Sequence, residues 1–187
     1  MSNDGQEVTL SGAPDGHGLE VGRVPDEAQL AAYSAAAERD ARRLVVGAVV
    51  TDGRGRVFVQ RRSADRELFP GAWDMVGGHA ESGEDALAAL KREVEEETGW
   101  RVRLLGPVIE LIDWEAGGVR RREVDLLVTV EGDLSAPRLE PGKHDEWRWL
   151  GRESTAVLDE GRGAEDVWLR GVIERALDLL EETAFGS

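Results

Sequence analysis

A cluster of acidic residues lies in the segment 77–100, GGHAESGEDALAALKREVEEETGW. If this segment is helical, each residue advances about 100° around the helix axis. Glu93, Glu96 and Glu97 are then spaced as i, i+3 and i+4, so their carboxylates share one face. Glu95 falls roughly 160° from Glu97, on the outward side. Because carboxylates at these spacings repel one another, the pattern favours a bound cation that offsets the repulsion.

The shared acidic face has two interpretations. Hard divalent cations such as Mg²⁺ prefer oxygen ligands, and they often bridge carboxylates to the phosphates of a substrate. Most runs of charged residues are instead solvated helix faces. Helix geometry alone leaves both interpretations open.

The residues around the cluster resemble a known signature. Their spacing matches the Nudix box of the Nudix hydrolase family at each fixed position, namely Gly78, Glu84, Arg92, Glu93, Val94, Glu96, Glu97, Gly99 and Trp100. The resemblance continues through FPGAWD at residues 69–74 and EWRWL at residues 146–150. It covers roughly residues 42–180, and residues 1–24 lie outside it.

The resemblance implies a reaction and a set of roles. The reaction is Mg²⁺-dependent hydrolysis, with Mn²⁺ as a substitute, of a pyrophosphate bond in a nucleoside diphosphate linked to another group. Glu96, Glu97 and the backbone carbonyl of Gly77 match metal ligands, and Glu93 matches a metal ligand or general base. Arg92 would orient the carboxylates, which makes Arg92, Glu93 and Glu96 the catalytic set. The linked group, whether nucleotide, sugar, ADP-ribose or part of an oxidised nucleoside triphosphate, stays open.

Residues outside the box add weaker candidates. Family members often supply one more acid from a loop, and here the candidates are Glu140, Asp145 and Glu146, with Glu140 preferred. Substrate binding is assigned to the arginines and aromatic residues that flank the box, namely Arg61, Arg62, His79 and Trp73. The alternatives are that the arginines are solvated and that Trp73 and Trp114 pack in the core.

Composition limits the class of protein. The chain has 187 residues, a net charge of −15 and no cysteine. Such a length fits one domain, and the acidic charge argues against binding of a nucleic-acid polymer. An acidic enzyme acting on an anionic phosphate needs bound cations. The absence of cysteine excludes cysteine-ligated zinc and disulfides. No apolar run is long enough for a membrane span, and no signal-peptide core is seen, so a cytoplasmic protein is expected.

The pattern of hydrophobic residues predicts one α/β domain. Residues 1–24 are expected to be a flexible tail, residues 25–41 a helix, and residues 42–184 the Nudix-type domain. The helix could pack on its own domain or on a second copy, which leaves a homodimer open. Strands are predicted at residues 42–51, 56–62, 73–76, 101–115, 120–131 and 146–150, with a closing helix at 166–183. The fold is therefore expected to be α/β (α+β), an α/β/α sandwich around a mixed sheet.

Two alternatives to the hydrolase concern chemistry rather than fold. A ligand-binding or regulatory module could keep the fold without catalysis, although degenerate modules typically lose box carboxylates and this chain has lost none. Residues 61–63 and 69–74 are also similar to isopentenyl diphosphate isomerases, which share the fold. Those enzymes use a catalytic cysteine, which this chain lacks.

Overall fold

The computed structural model describes residues 8–11, 18–163 and 166–185, and these residues form two sheets and three α-helices. A mixed five-stranded sheet has the order β1-β6-β7-β2-β5, and a smaller sheet has the order β4-β3-β8. The strands are β1 Thr9–Ser11, β2 Arg43–Val50, β3 Val57–Arg62, β4 Trp73–Asp74, β5 Val76–His79, β6 Arg101–Ala116, β7 Val119–Glu131 and β8 His144–Leu150. The helices are α1 Glu27–Arg39, α2 Ala86–Thr98 and α3 Trp168–Phe185, and a 3₁₀ helix spans Arg152–Asp159.

The mixed sheet is covered on both faces. Strand β2 alternates its side chains, so Val46 and Ala48 join the core under α1 and α2, while Val49 joins the core under α3. This arrangement follows from the period of two along a strand. Strand β2 runs parallel to β7 and antiparallel to β5. The predicted α/β/α sandwich around a mixed sheet is confirmed.

Helix α2 has clear start and stop signals in the sequence. The Asp85 side chain accepts a hydrogen bond from the Ala88 backbone N–H at 2.8 Å, which satisfies a free donor of the first turn. Gly99 ends the helix in the left-handed conformation, with φ at 73°, a conformation that glycine adopts without a steric penalty. Leu90 and Val94 are fully buried, and this apolar side holds α2 against the mixed sheet.

Helix α1 packs on its own domain. Asp26 caps it in a reciprocal capping box with Gln29. The Tyr33 hydroxyl donates to the Glu123 backbone carbonyl at 2.9 Å, and the Ser34 hydroxyl accepts from the Ala86 backbone N–H at 2.8 Å. Because Leu30 is also fully buried, the helix is part of the core. The sequence left its packing partner undecided.

The strands add to the prediction or differ from it in three places. The segment predicted as one strand at residues 73–76 is divided, with β4 in the small sheet and β5 in the mixed sheet. Strand β3, which follows β2 in the chain and was predicted without a partner, pairs with β4 and β8 in the smaller sheet. Strand β6 passes through Gly106 and Pro107, where shifts in its register with β7 accommodate the proline.

Two parts of the predicted N-terminal tail contact the domain. Strand β1 pairs antiparallel with β6. Leu19 is buried, and the Gly22 backbone N–H donates to the Val108 carbonyl at 2.8 Å. The structure therefore differs from the tail prediction at residues 9–11 and 18–24, while residues 1–7 and 12–17 lie outside the described residues. Within the described chain, no helix combines the length and hydropathy needed to cross a membrane.

Candidate active site

The acidic face of α2 lies directly against β5. The Gly77 backbone N–H donates to Glu97 Oε2 at 3.1 Å. A Cβ atom placed on Gly78 would come within 2.5 Å of Glu93 Oε1, so the absence of a side chain at Gly78 makes room for this carboxylate. Two carboxylates of the helix therefore meet the glycine pair of the strand, as the box spacing predicts.

Arg92 joins the acids of the site into one network. Its Nη1 donates to Glu93 Oε1 at 2.8 Å and to Glu96 Oε2 at 3.0 Å. Its Nε and Nη2 each donate to the Glu84 carboxylate at 2.9 Å, and Nη2 also donates to the His79 carbonyl at 3.0 Å. Arg92 thus ties the start of α2 to its acidic face and to β5. Charge-assisted bonds of this kind fix the directions of the carboxylates.

Burial makes two of the carboxyls unusual. Glu97 is 4% exposed, and burial together with the nearby Glu93 raises its pKa to about 8, against the opposing bonds from Gly77 and Gln60. Burial also raises the pKa of Glu93, while Arg92 acts in the opposite direction. Glu96 is exposed. A carboxyl with a raised pKa readily takes up a proton, and a nearby cation would stabilise its ionised form.

The donor chemistry fits a hard divalent cation. Glu93, Glu96 and Glu97 offer carboxylate oxygens, the ligands that Mg²⁺ and Mn²⁺ prefer. Among the residues that the structure describes, no three acidic or histidine side chains converge closely enough to form a finished metal cage. The Arg92 guanidinium contacts both Glu93 and Glu96. A cation shared by these two acids would therefore have to compete with, or displace, one of those contacts.

A cleft opens beside the acids, and its wall carries side chains of both charges. Glu93, Glu96 and Glu97 line it, together with cationic side chains from several segments, namely Arg43, Arg62, Arg162 and Lys143, and with further acids, namely Asp65, Glu67, Asp74, Glu81, Glu123 and Asp166. An anionic substrate entering this cleft meets cations that partly offset the negative charge of the chain as a whole.

The acids considered outside the box are either held in ion pairs or exposed. Glu140 pairs with Lys143 at 2.7 Å, and Lys143, not Glu140, lines the cleft. Glu146 pairs with Arg148 and Arg61, and Asp145 is exposed. The preference for Glu140 as a ligand stays a prediction, and a cation that binds there would have to compete with Lys143.

Of the four predicted substrate-binding residues, two line the cleft and two do not. Arg62 and His79 line the cleft. His79 Nε2 accepts from Arg121 at 3.1 Å, and burial with the nearby Arg43 and Arg121 lowers the His79 pKa to about 4. Arg61 donates to the Gly71 carbonyl and is not part of the cleft wall. Trp73 is fully buried with Arg148 over its ring, so its assignment to base stacking is wrong.

Several residues near the acids were not predicted from the sequence. Gln60, fully buried on β3, donates to Glu97 Oε2 at 2.6 Å. His144 Nδ1 lies 3.9 Å from Glu97 Oε1, and burial lowers the His144 pKa to about 4. Gln60 lies in the middle of an alternating strand, where a polar residue facing the core is the one available signal. Its partner is 37 residues away, which no local pattern reveals.

The fold and the site together define a hydrolase whose acidic helix faces a glycine pair in a cleft lined by both acidic and basic side chains. The NUDIX domain model matches residues 41–170, and the chain belongs to this family of hydrolases. An RNA pyrophosphohydrolase from Dinoroseobacter shibae is 35% identical over 134 residues, which cover 63% of this chain and 80% of that protein. An isopentenyl-diphosphate Delta-isomerase from Citrobacter koseri is 28% identical over 138 residues, covering 70% of this chain and 76% of that enzyme. A MutT protein structure from Methanosarcina mazei Go1 superposes with a TM-score of 0.57 at 22% identity, covering 76% of this chain and 95% of that one.

Proposed function

We propose that this protein hydrolyses a phosphoanhydride bond in a nucleotide-derived substrate with a divalent cation, Mg²⁺ or Mn²⁺. The observation that carries the proposal is the placement of Glu93 and Glu97 of α2 against Gly77 and Gly78 at one end of the cleft. The residues that would hold the cation are Glu93, Glu96 and Glu97, with the Gly77 carbonyl as a further oxygen. When bound, such a cation neutralises the developing phosphate charge and lowers the pKa of water.

The other residues of the site have separate tasks. Arg92 keeps the Glu93 and Glu96 carboxylates in fixed directions through its two hydrogen bonds. Gln60 and the Gly77 N–H hold one Glu97 oxygen, leaving the other directed toward His144. Glu93, whose pKa burial raises, is suited to accept the proton of the attacking water. Arg62 and Lys143 line the cleft, where they would hold substrate phosphates.

The substrate class follows from the cleft and from the relatives. The cations of the cleft favour a polyphosphate chain, which nucleotides, nucleotide sugars and dinucleotides all carry. The relative from Dinoroseobacter shibae is named for RNA, so an RNA carrying a pyrophosphate is a candidate for this chain as well. The acidic net charge is not an obstacle if the phosphate end alone enters the cleft, where Arg62 and Lys143 line the wall.

The test compares three carboxyl-to-amide variants. Glu97→Gln keeps an oxygen for the two donors at Oε2, so the fold should persist. We expect Glu97→Gln and Glu93→Gln to lower metal-dependent turnover by about 100-fold or more, whereas Glu95→Gln, on the exposed side of α2, keeps it. The assay uses Mg²⁺ and Mn²⁺ with nucleoside triphosphates, a nucleotide sugar, a dinucleoside tetraphosphate and 5′-triphosphorylated RNA. Full turnover in Glu97→Gln would refute the site.

The two alternatives give different results in the same assay. A binding module would bind members of the panel without hydrolysing any of them. The isomerase resemblance gains a relative at 28% identity, but the chain has no cysteine to supply the catalytic thiol of those enzymes. Conversion of isopentenyl diphosphate, measured with the same protein, would show isomerase chemistry directly.

A further inference from the structure

A pair of buried acids lies on the mixed sheet beside the cleft. The partners of Val45 are His79 on β5 and Glu123 on β7, and the partners of Gly47 are Gly77 and Asp125. Each strand lies about 4.8 Å from its neighbour, so Glu123 and Asp125 are roughly 10 Å across the sheet from the glycine end of β5. The mechanism proposed above does not use them.

Glu123 is part of the cleft wall. It is 6% exposed, and its Oε2 accepts a hydrogen bond from the Trp114 indole N–H at 2.6 Å. Trp114 also lines the cleft, and the Arg121 guanidinium lies 4.5 Å from the centre of its ring. The Trp114 bond thereby fixes one carboxylate oxygen of Glu123, and the second oxygen is left for other donors.

Asp125 lies behind Glu123 and is fully buried. Within the described chain, no donor group reaches either of its oxygens, and its polar neighbour is the Glu123 carboxyl. Gly47 makes room for it, because a Cβ there would fall 2.1 Å from Asp125 Oδ1. An unpartnered carboxyl at this depth is costly unless it is protonated and shares its proton.

The two carboxyls differ in how strongly they hold a proton. Burial raises the pKa of Glu123 to about 7 and raises the pKa of Asp125 well above its usual range. Asp125 therefore keeps its proton and donates it to Glu123, which is an ionised acceptor above about pH 7. The cleft wall then presents an oxygen that accepts hydrogen bonds and repels other acceptors.

We propose that Glu123 selects substrates whose base presents adjacent N–H donors, as the ring N–H and 2-amino group of guanine do, and that Asp125 is its positioning residue. Adenine presents a ring acceptor beside its amino group, and uracil flanks its single N–H with two carbonyls. Both would place an acceptor close to the Glu123 oxygen. The inference rests on the proposed function in one respect, since the phosphates are taken to lie at the acids of α2.

Equilibrium binding tests the selectivity without turnover. The probes are the α,β-methylene diphosphates of guanosine, inosine, adenosine and uridine, measured by calorimetry with Mg²⁺. We expect guanosine to bind about 10-fold tighter than inosine, which lacks only the 2-amino group, and tighter than the other two. Equal binding of all four bases would overturn the proposal.

Variants assign that preference to the two acids. In Glu123→Gln the amide oxygen would take the Trp114 bond and turn an N–H₂ group toward the base, so the preference should fall below about 3-fold. Asp125→Asn still donates to Glu123 and should keep the preference, whereas Asp125→Ala should reduce it. Glu115→Gln, the same change at an exposed position of β6, is the control. A preference that survives Glu123→Gln would overturn the proposal.

Turnover separates the two proposals. For natural guanosine and inosine substrates, Glu123→Gln should raise KM for guanosine and leave kcat within about 3-fold, because the acid does not touch the reacting phosphate. Base-selective binding without hydrolysis of any substrate would leave this inference standing and remove the proposed function. Hydrolysis at equal kcat/KM for all bases would support the proposed function and overturn the inference about Glu123.

Discussion

At the scale of single residues, the acids of the site are held by groups that come from distant parts of the chain. Glu93 and Glu97 lie where the i, i+4 relation places them. Gln60 and Lys143 reach the same site from β3 and from a loop, so their partnership depends on tertiary packing. The error at Trp73 has the same origin, because a sequence shows an aromatic residue near the box but not which core encloses it.

The buried acids of β7 lead to a prediction about pH. Glu123 and Asp125 both have raised pKa values, so the folded protein binds more protons than the unfolded chain between about pH 4.5 and 7. The contribution of these two acids to the free energy of unfolding should therefore fall as the pH rises through this window. The pKa shift of Glu123 corresponds to a contribution of at most about 3 kcal/mol to the free energy of unfolding.

The measurement is urea unfolding between pH 5 and 7.5. Glu123→Gln, which cannot titrate but still offers an oxygen to Trp114, should lose less stability over this range than the natural protein. Glu95→Gln changes an exposed acid of α2 and should keep the natural slope. A slope unaffected by Glu123→Gln would mean that Glu123 is already ionised at low pH.

At the scale of elements, local signals in the chain fix the ends of helices but not the partners of strands. Helix α2 begins after Asp85 and ends at Gly99, and both residue types are common at such helix ends. The strand assignments located β2, β7 and β8 but not the two-sheet arrangement, because hydrophobic alternation identifies a strand without identifying its neighbour. The division of residues 73–76 matters for the site, since it is β5, in the mixed sheet, that meets α2.

The contact between β5 and α2 predicts the effect of a single methyl group. In Gly78→Ala the new Cβ would fall 2.5 to 2.8 Å from the Glu93 carboxyl atoms. Glu93 is the end of a flexible side chain, so it can move away at little cost in stability. We expect turnover to fall by about 10-fold or more, with a melting temperature within about 4 °C of the natural protein.

The control for this variant is another glycine-to-alanine change. At Gly171 in α3 the nearest atom to a new Cβ is Arg175 Nη1, at an ordinary 3.4 Å. Gly171→Ala should keep full turnover and gain up to about 1 kcal/mol in stability from helix propensity. Equal activity in both variants would show that the position of the Glu93 carboxylate does not matter to the reaction.

At the scale of the whole molecule, two cores on opposite faces of the mixed sheet hold the site between them. Helices α1 and α2 close one core, and α3 closes the other. A buried ion-pair network fastens α1 at the edge of the first core. Arg122 of β7 donates to both oxygens of Asp113 at 2.8 Å and to Asp40 at 2.8 Å. Arg42 adds a contact of 3.0 Å to Asp113.

Because of this network, we expect two arginine variants that remove the same charge to differ strongly in their free energy of unfolding. The Arg122 side chain is 5% exposed, and its hydrogen bonds to Asp113, despite the opposing effect of burial, raise its pKa. Arg122→Leu leaves two acids short of a partner near the core, and we expect it to lower the free energy of unfolding by about 3–5 kcal/mol. Arg152→Leu also removes an arginine with two acidic partners, Asp178 and Glu181, but that side chain is 42% exposed. Solvent screens the ion pairs of Arg152, so its loss should cost far less stability than the loss of Arg122. Similar urea midpoints for the two variants would contradict a structural role for the Arg122 network.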